Sequence, residues 1–249
     1  FNDWANSFSK KTTPLGIRFG ENFDFPFTFE NDSKRGKTTI GEIRNNNGSP
    51  LSWEYGTAVD ILKVAPSKII KAGESFTFNL SYTVKVSDDS FTRFGVDNNG
   101  NYKLRYWYIS PAVFDEEWKA YSNKNTEDLY LLPSQFDITF NYPKNLILDS
   151  DFDIVSEETI GTNKRTVIKG IDRTKALLFL SKTIKFESIV TDKVEVVSNI
   201  YQRKVSSPIR ALMVDRVTHF LNEKLGDYPF DKIIVSDEDN RNNPVYGLN

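Results

Sequence analysis

Cysteine is absent, histidine and methionine occur once each, and no apolar run extends beyond a few residues. The lack of cysteine excludes disulfides, thiolate nucleophiles and cysteine-held zinc, and it leaves both reducing and oxidising compartments open. A single histidine, His219, cannot build a two-histidine zinc site. A serine triad would need His219 to meet a serine without the strained Gly-x-Ser-x-Gly turn that announces one. The longest apolar stretch, Ala176 to Leu180, is far short of the roughly 20 residues a membrane-spanning helix needs. Neither sign of charge prevails: 32 basic and 34 acidic residues leave a net charge of -2, which gives no broad field for nucleic acid or anionic membranes. Loops are poor in glycine and hold no Gly-x-x-x-x-Gly-Lys phosphate cradle.

What the chain does have is aromatic residues, 14% of the total, in segments that alternate with polar residues, the habit of half-buried strands. From Glu74 to Val86 the residues Phe76, Phe78, Leu80, Tyr82, Val84 and Val86 alternate with polar ones, which predicts one buried and one wet face. The same period recurs at Phe136, Ile138, Phe140 and Tyr142. Lys71-Ala72-Gly73-Glu74, Asp97 to Asn101 and Pro143-Lys144-Asn145 read as turns, so the strands are expected to be antiparallel. Shorter runs continue to Ile200. The fold class expected is mainly β, an antiparallel sandwich or saddle-like sheet.

The pattern changes after residue 204. Ser206 or Ser207 can cap a helix, Pro208 suits its first position, and Ile209, Leu212, Met213, Val217, Phe220, Leu221 and Leu225 follow at three-four spacing. Gly226 and Pro229 stop the helix, and Lys232 to Val235 reads as a short strand. Residues 1–203 are therefore expected to form a β-rich domain, and 204–249 the opening helix and strand of another. A first residue other than Met and a final loop suggest a piece of something longer.

Few residues announce chemistry. His219 falls off the apolar stripe and is expected to face solvent. The acidic runs Asp115-Glu116-Glu117 and Asp237-Glu238-Asp239 match no calcium loop, and the basic run Lys34 to Lys37 reads as a solvated turn. Arg105-Tyr106-Trp107-Tyr108, with Phe114 and Trp118, is the densest aromatic stretch; it suits core packing or stacking on a sugar or peptide.

Taken in order, Asn2 to Asn6 with Lys11 to Leu15, Gly73 to Val86, Trp107 to Asp115 with Leu129 to Pro143, and Leu221 to Val235 resemble the amino-terminal half of bacterial aminopeptidase N-like zinc metallopeptidases. The last stretch, with its Asp227-Tyr228-Pro229-Phe230 turn, is the most telling. The resemblance implies a non-catalytic amino-terminal domain that supports a catalytic domain and lines its peptide cleft. It places zinc in that catalytic domain, on a His-Glu-x-x-His helix this chain lacks, and implies peptide as the substrate. Where the family has Gly-x-Met-Glu-Asn, this chain has Tyr246-Gly247-Leu248-Asn249 and no Met-Glu pair. With these residues, Glu238 and Asp239 are the candidate substrate contacts, a carboxylate being needed opposite an ammonium group. The bacterial relatives imply an extracytoplasmic location. Two rival readings remain: a non-enzymatic β-sandwich binding glycan or protein through Trp107 and Trp118, and a structural domain of a surface or secretion assembly.

Overall fold

A computed structural model describes residues 1–105, 107–124, 130–183, 186–200 and 205–237. Helices α1 (Pro14–Glu21) and α2 (Phe25–Phe29) come first. The strands that follow are β1 (Lys37–Asn45), β2 (Trp53–Tyr55), β3 (Leu62–Val64), β4 (Phe78–Lys85), β5 (Gly95–Val96), β6 (Tyr102–Leu104), β7 (Val113–Asp115) and β8 (Glu117–Lys119). Next are β9 (Ser134–Pro143), β10 (Ile147–Ser150), β11 (Asp153–Ile160), β12 (Asn163–Arg173), β13 (Leu178–Ser181), β14 (Glu187–Val190) and β15 (Glu195–Ser198), then α3 (Ser207–Leu225) and β16 (Lys232–Val235). The chain is mainly β with one long helix late, and its strands form several small sheets, nearly all antiparallel.

Two compact units divide it. The first holds residues 1–96 and 104–132, the second 97–103 and 133–249. Residues 205–237 lie in the second unit, where β16 pairs with β15 in a single sheet.

In the first unit β1 pairs with β4, and the burial of β4 alternates residue by residue as its sequence does. The strand starts at Phe78, later than the alternation suggests. Before it, Glu74 N donates to Lys71 O across a tight turn that Gly73 closes at φ +79, a conformation a side chain would oppose. Helix α1 follows a readable signal: Thr13 Oγ1 accepts from Gly16 N at 3.1 Å and Pro14 occupies the first turn. The basic run at Lys34 is not all solvated. Arg35 is buried, its guanidinium 4.4 Å over the Phe27 ring and donating to the Phe27 and Glu30 carbonyls. A planar cation with a ring below and carbonyls at its rim has most of its solvation replaced.

In the second unit β12 lies between β11 and β9, with Ile168 opposite both Ile154 and Ile138. The fully buried Phe152 packs on Phe136 at 5.3 Å and lies over Gly170, where a Cβ would come within 2.9 Å of three ring carbons. β10 and β13 pair antiparallel, and β13 carries the buried residues Leu178, Phe179 and Leu180. The remaining sheet is β14-β15-β16, with β14 antiparallel and β16 parallel to β15.

Candidate functional site

The stretch from α3 through β16 forms as its sequence predicts. Pro208 lies in the first turn of α3, and Gly226 ends it at φ +92 with its N–H on Asn222 O. The Tyr228-Pro229-Phe230 turn is then pinned by a residue distant in sequence. Arg173, at the end of β12, stacks its guanidinium 3.7 Å over Phe230, pairs with the Asp151 carboxylate at 3.3 Å and donates to the Asp151 carbonyl at 3.2 Å. Burial raises the Asp151 carboxyl while Arg173 pulls it back, and burial likewise raises the Tyr228 phenol. The turn therefore rests on a cation that is shielded, stacked and paired, so its direction is fixed. Nothing local in the sequence marks Arg173 for this role.

The turn delivers β16 beside β15 in parallel, so the carboxyl ends of both strands lie together. Ser236 is buried there, and Asp237 N donates to Asn199 Oδ1 at 2.7 Å. Such ends, where strands run parallel, are where open α/β sheets place ligands. Glu238, Asp239, Tyr246, Gly247, Leu248 and Asn249, the sequence-predicted substrate contacts, lie outside the described residues. Strand β16 ends at Val235, two residues before the last described one, Asp237.

Beside this strand lies an apolar cavity of about 550 Å³, walled by Met213, Val217 and Leu221 of α3, Val196 of β15, Ile233 of β16 and Pro229. The apolar residues of α3 are exposed to a degree unusual for a helix so rich in them: Ile209, Met213, Val217 and Phe220 each exceed half, and Leu225 reaches 81%. Thr218 is the buried residue of the helix. The predicted apolar stripe is present but faces outward, and Ile209, Leu212 and Phe220 extend it beyond the cavity side.

The aromatic stretch divides. Trp107 is half-buried against Tyr108, whereas Phe114 and Trp118 pair at 5.2 Å across the β7-β8 hairpin, Trp118 being 66% exposed. The acidic run between them is a turn, with Glu116 at φ +60 and Glu117 paired to Lys119.

Compared with known proteins, the chain matches no protein-family model and no curated protein by sequence. Its fold does match solved structures of M1 zinc metallopeptidases. One, from Deinococcus radiodurans, aligns at 14% identity with a TM-score of 0.50; a variant bound to the substrate Tyr-Ser-Ala, from the same organism, aligns at 13% and 0.52; a two-domain variant bound to L-arginine aligns at 14% and 0.51. Each alignment covers 80% of this chain and 46% of the peptidase, so the chain spans less than half the length of the proteins it resembles. At this identity the likeness is one of fold. The zinc of those enzymes is a poor fit to the residues here, since one histidine and no cysteine cannot supply a catalytic zinc site with two imidazoles.

Proposed function

We propose that the chain is the non-catalytic, β-rich amino-terminal part of an M1-like zinc-dependent aminopeptidase. In this reading the α3-β16 end receives the catalytic domain, and Glu238, Asp239 and Tyr246 to Asn249 line the peptide cleft. Zinc and the bond-breaking chemistry belong to that catalytic domain, as does most of the grip on peptide. The observation that carries the reading is the uncovered apolar surface of α3 beside an apolar cavity. A helix apolar over so much of its circumference is stable when other apolar surface encloses it, and the fold likeness indicates which class of protein would supply that surface. No helix among the described residues is long and apolar enough to cross a membrane, so this apolar surface is not that of a spanning helix.

The test is to express the whole reading frame that contains this chain, alongside residues 1–249, and assay both on aminoacyl and N-blocked peptide substrates. Chelator-sensitive hydrolysis of free-amino substrates by the whole protein, and none by residues 1–249, is expected. Activity of residues 1–249 alone, or a reading frame without a His-Glu-x-x-His helix, would overturn it. A second reading draws support from the exposed Phe114-Trp118 pair, which offers a stacking platform for a glycan or an extended peptide. If it holds, Trp118→Ala abolishes ligand capture while leaving any peptidase activity of the whole protein unchanged.

A further inference from the structure

We propose that His219 is a pH-sensitive clasp, which as an imidazolium bridges Asp192, in the turn between β14 and β15, to Asp215 on its own helix α3. Asp192 lies between Val190 and Glu195, while Asp215 and His219 are one helical turn apart. One ring thus ties the helix to the hairpin.

The protonation state follows from what each ring nitrogen faces. His219 Nδ1 is 2.9 Å from the Asp215 carbonyl oxygen and 3.4 Å from Asp215 Oδ1. Both oxygens only accept, so Nδ1 carries a hydrogen. Nε2 is 3.2 Å from Asp192 Oδ1, an acceptor as well. A neutral imidazole has one N–H and one lone pair. Either tautomer therefore turns a lone pair onto an oxygen, at Asp192 in one case and at Asp215 in the other. The ring that suits both sides is the doubly protonated one, and its charge lies between two carboxylates.

The surroundings set the direction of the switch. The hydrogen bond to the Asp215 carbonyl, helped by the Asp192 and Asp215 charges, lifts the ring above the ordinary histidine value, and Lys193 in the turn opposes them. On α3 itself the charges about a turn away are Arg216 and Glu223, the latter paired with Lys224 at 2.6 Å. A group raised on folding contributes its full stability below its unfolded value, near 6.5, and loses it as pH rises through the folded value. The clasp is therefore closed in mild acid and open in alkali. Its three side chains are 44–61% exposed, so salt weakens it. Nearer the start of α3, Arg210 pairs with Glu187 of β14 at 2.6 Å, and neither of those groups titrates near neutrality. Opening the clasp thus leaves the helix held at that end and loosens it toward Leu225. Met213, Val217 and Leu221 of α3 and Val196 of β15 wall the apolar cavity, so the charge on one ring bears on the spacing of those walls.

Because the chain has one histidine, its ring signals are unambiguous in untagged protein. In a pH series on residues 1–249, the His219 ring nitrogens are expected to be both protonated at about pH 6 and to titrate with a midpoint above that of the same chain in concentrated urea. Asp192→Asn, an exposed turn substitution with little to unfold, should bring the midpoint down toward the unfolded one, as should molar salt. Hydrogen-exchange protection of the Val194 amide, which closes the turn on Thr191, should fall about threefold between about pH 6 and about pH 9 after correction for intrinsic rates. In His219→Gln that fall should be absent, because the clasp is open at both. A midpoint equal to the unfolded one, or one that Asp192→Asn leaves in place, would overturn the proposal. The same loss of protection in His219→Gln would overturn it equally and assign the change to general loosening.

Discussion

In the first unit Asp3 and Asp60 are fully enclosed, and each of their carboxylate oxygens meets a donor. Thr38 Oγ1 and Tyr55 OH donate to Asp3 at 2.6 and 2.8 Å; Ser122 Oγ and Asn123 N donate to Asp60 at 2.8 and 2.7 Å. In the second unit Asp149 Oδ2 is buried with no hydrogen-bond partner among the described residues, and the apolar face of α3 is exposed. The amino-terminal segment thus pairs both of these carboxylates locally, tying residue 3 to 38, 55 and 60. In the later segment a carboxylate oxygen and a helix face are left unsatisfied by the described residues. A carboxylate whose two oxygens both meet donors reads as scaffold; an apolar helix face left open reads as a place for something else to dock.

The comparison is most easily broken at Asp3. Asp3→Ala strands the Thr38 and Tyr55 hydroxyls in a dry interior and is expected to cost about 3 kcal/mol, read as a lower urea midpoint of the first unit's transition. A loss under 1 kcal/mol would show that the network is ornament. Asp149 sharpens the other side. Burial lifts its carboxyl to about 6, so folding favours its neutral form; its contribution is full below the unfolded value near 4 and is lost as pH rises through 6. Asp149→Asn should therefore stabilise the second unit at pH 7, by about 1 kcal/mol after allowing for partial solvent screening, and have no effect at pH 3. Urea melts at the two pH values decide it, and a gain at both would assign the effect to packing instead. The smallest effect is expected on α3. Leu225→Gln should change the stability of residues 1–249 by less than about 0.5 kcal/mol, whereas in a whole protein that covers the helix the same change should cost several times more.

Much of this was legible in the sequence. Alternation at Phe136 to Tyr142 became β9 with its alternating burial, and Ser206 to Gly226 marked the helix within a residue. These signals depend on neighbours two to four positions apart, which a linear reading sees directly. Helix α1 carried an equally plain Thr13-Pro14 signal but was obscured by its short length. What the sequence hid depends on distant pairs. That Arg35 would be swallowed by Phe27, that Arg173 would hold Phe230, and that Asp192 would reach His219 all follow from how the chain folds back. The outward face of α3 was hidden for another reason: apolar periodicity shows that a face seeks cover, not whether the same chain provides it.

The close seat of the Phe152 ring over Gly170 carries a consequence for descent. Any side chain added at 170 would need the volume that the ring occupies, and the cost of overpacking, about 1–3 kcal/mol, falls on lineages that change one position alone. Relatives of this chain are therefore expected to alter the two sites as a pair, trading bulk across the strand. A phenylalanine at the first position would then foretell a glycine at the second, even where the rest of the sequence has drifted beyond recognition.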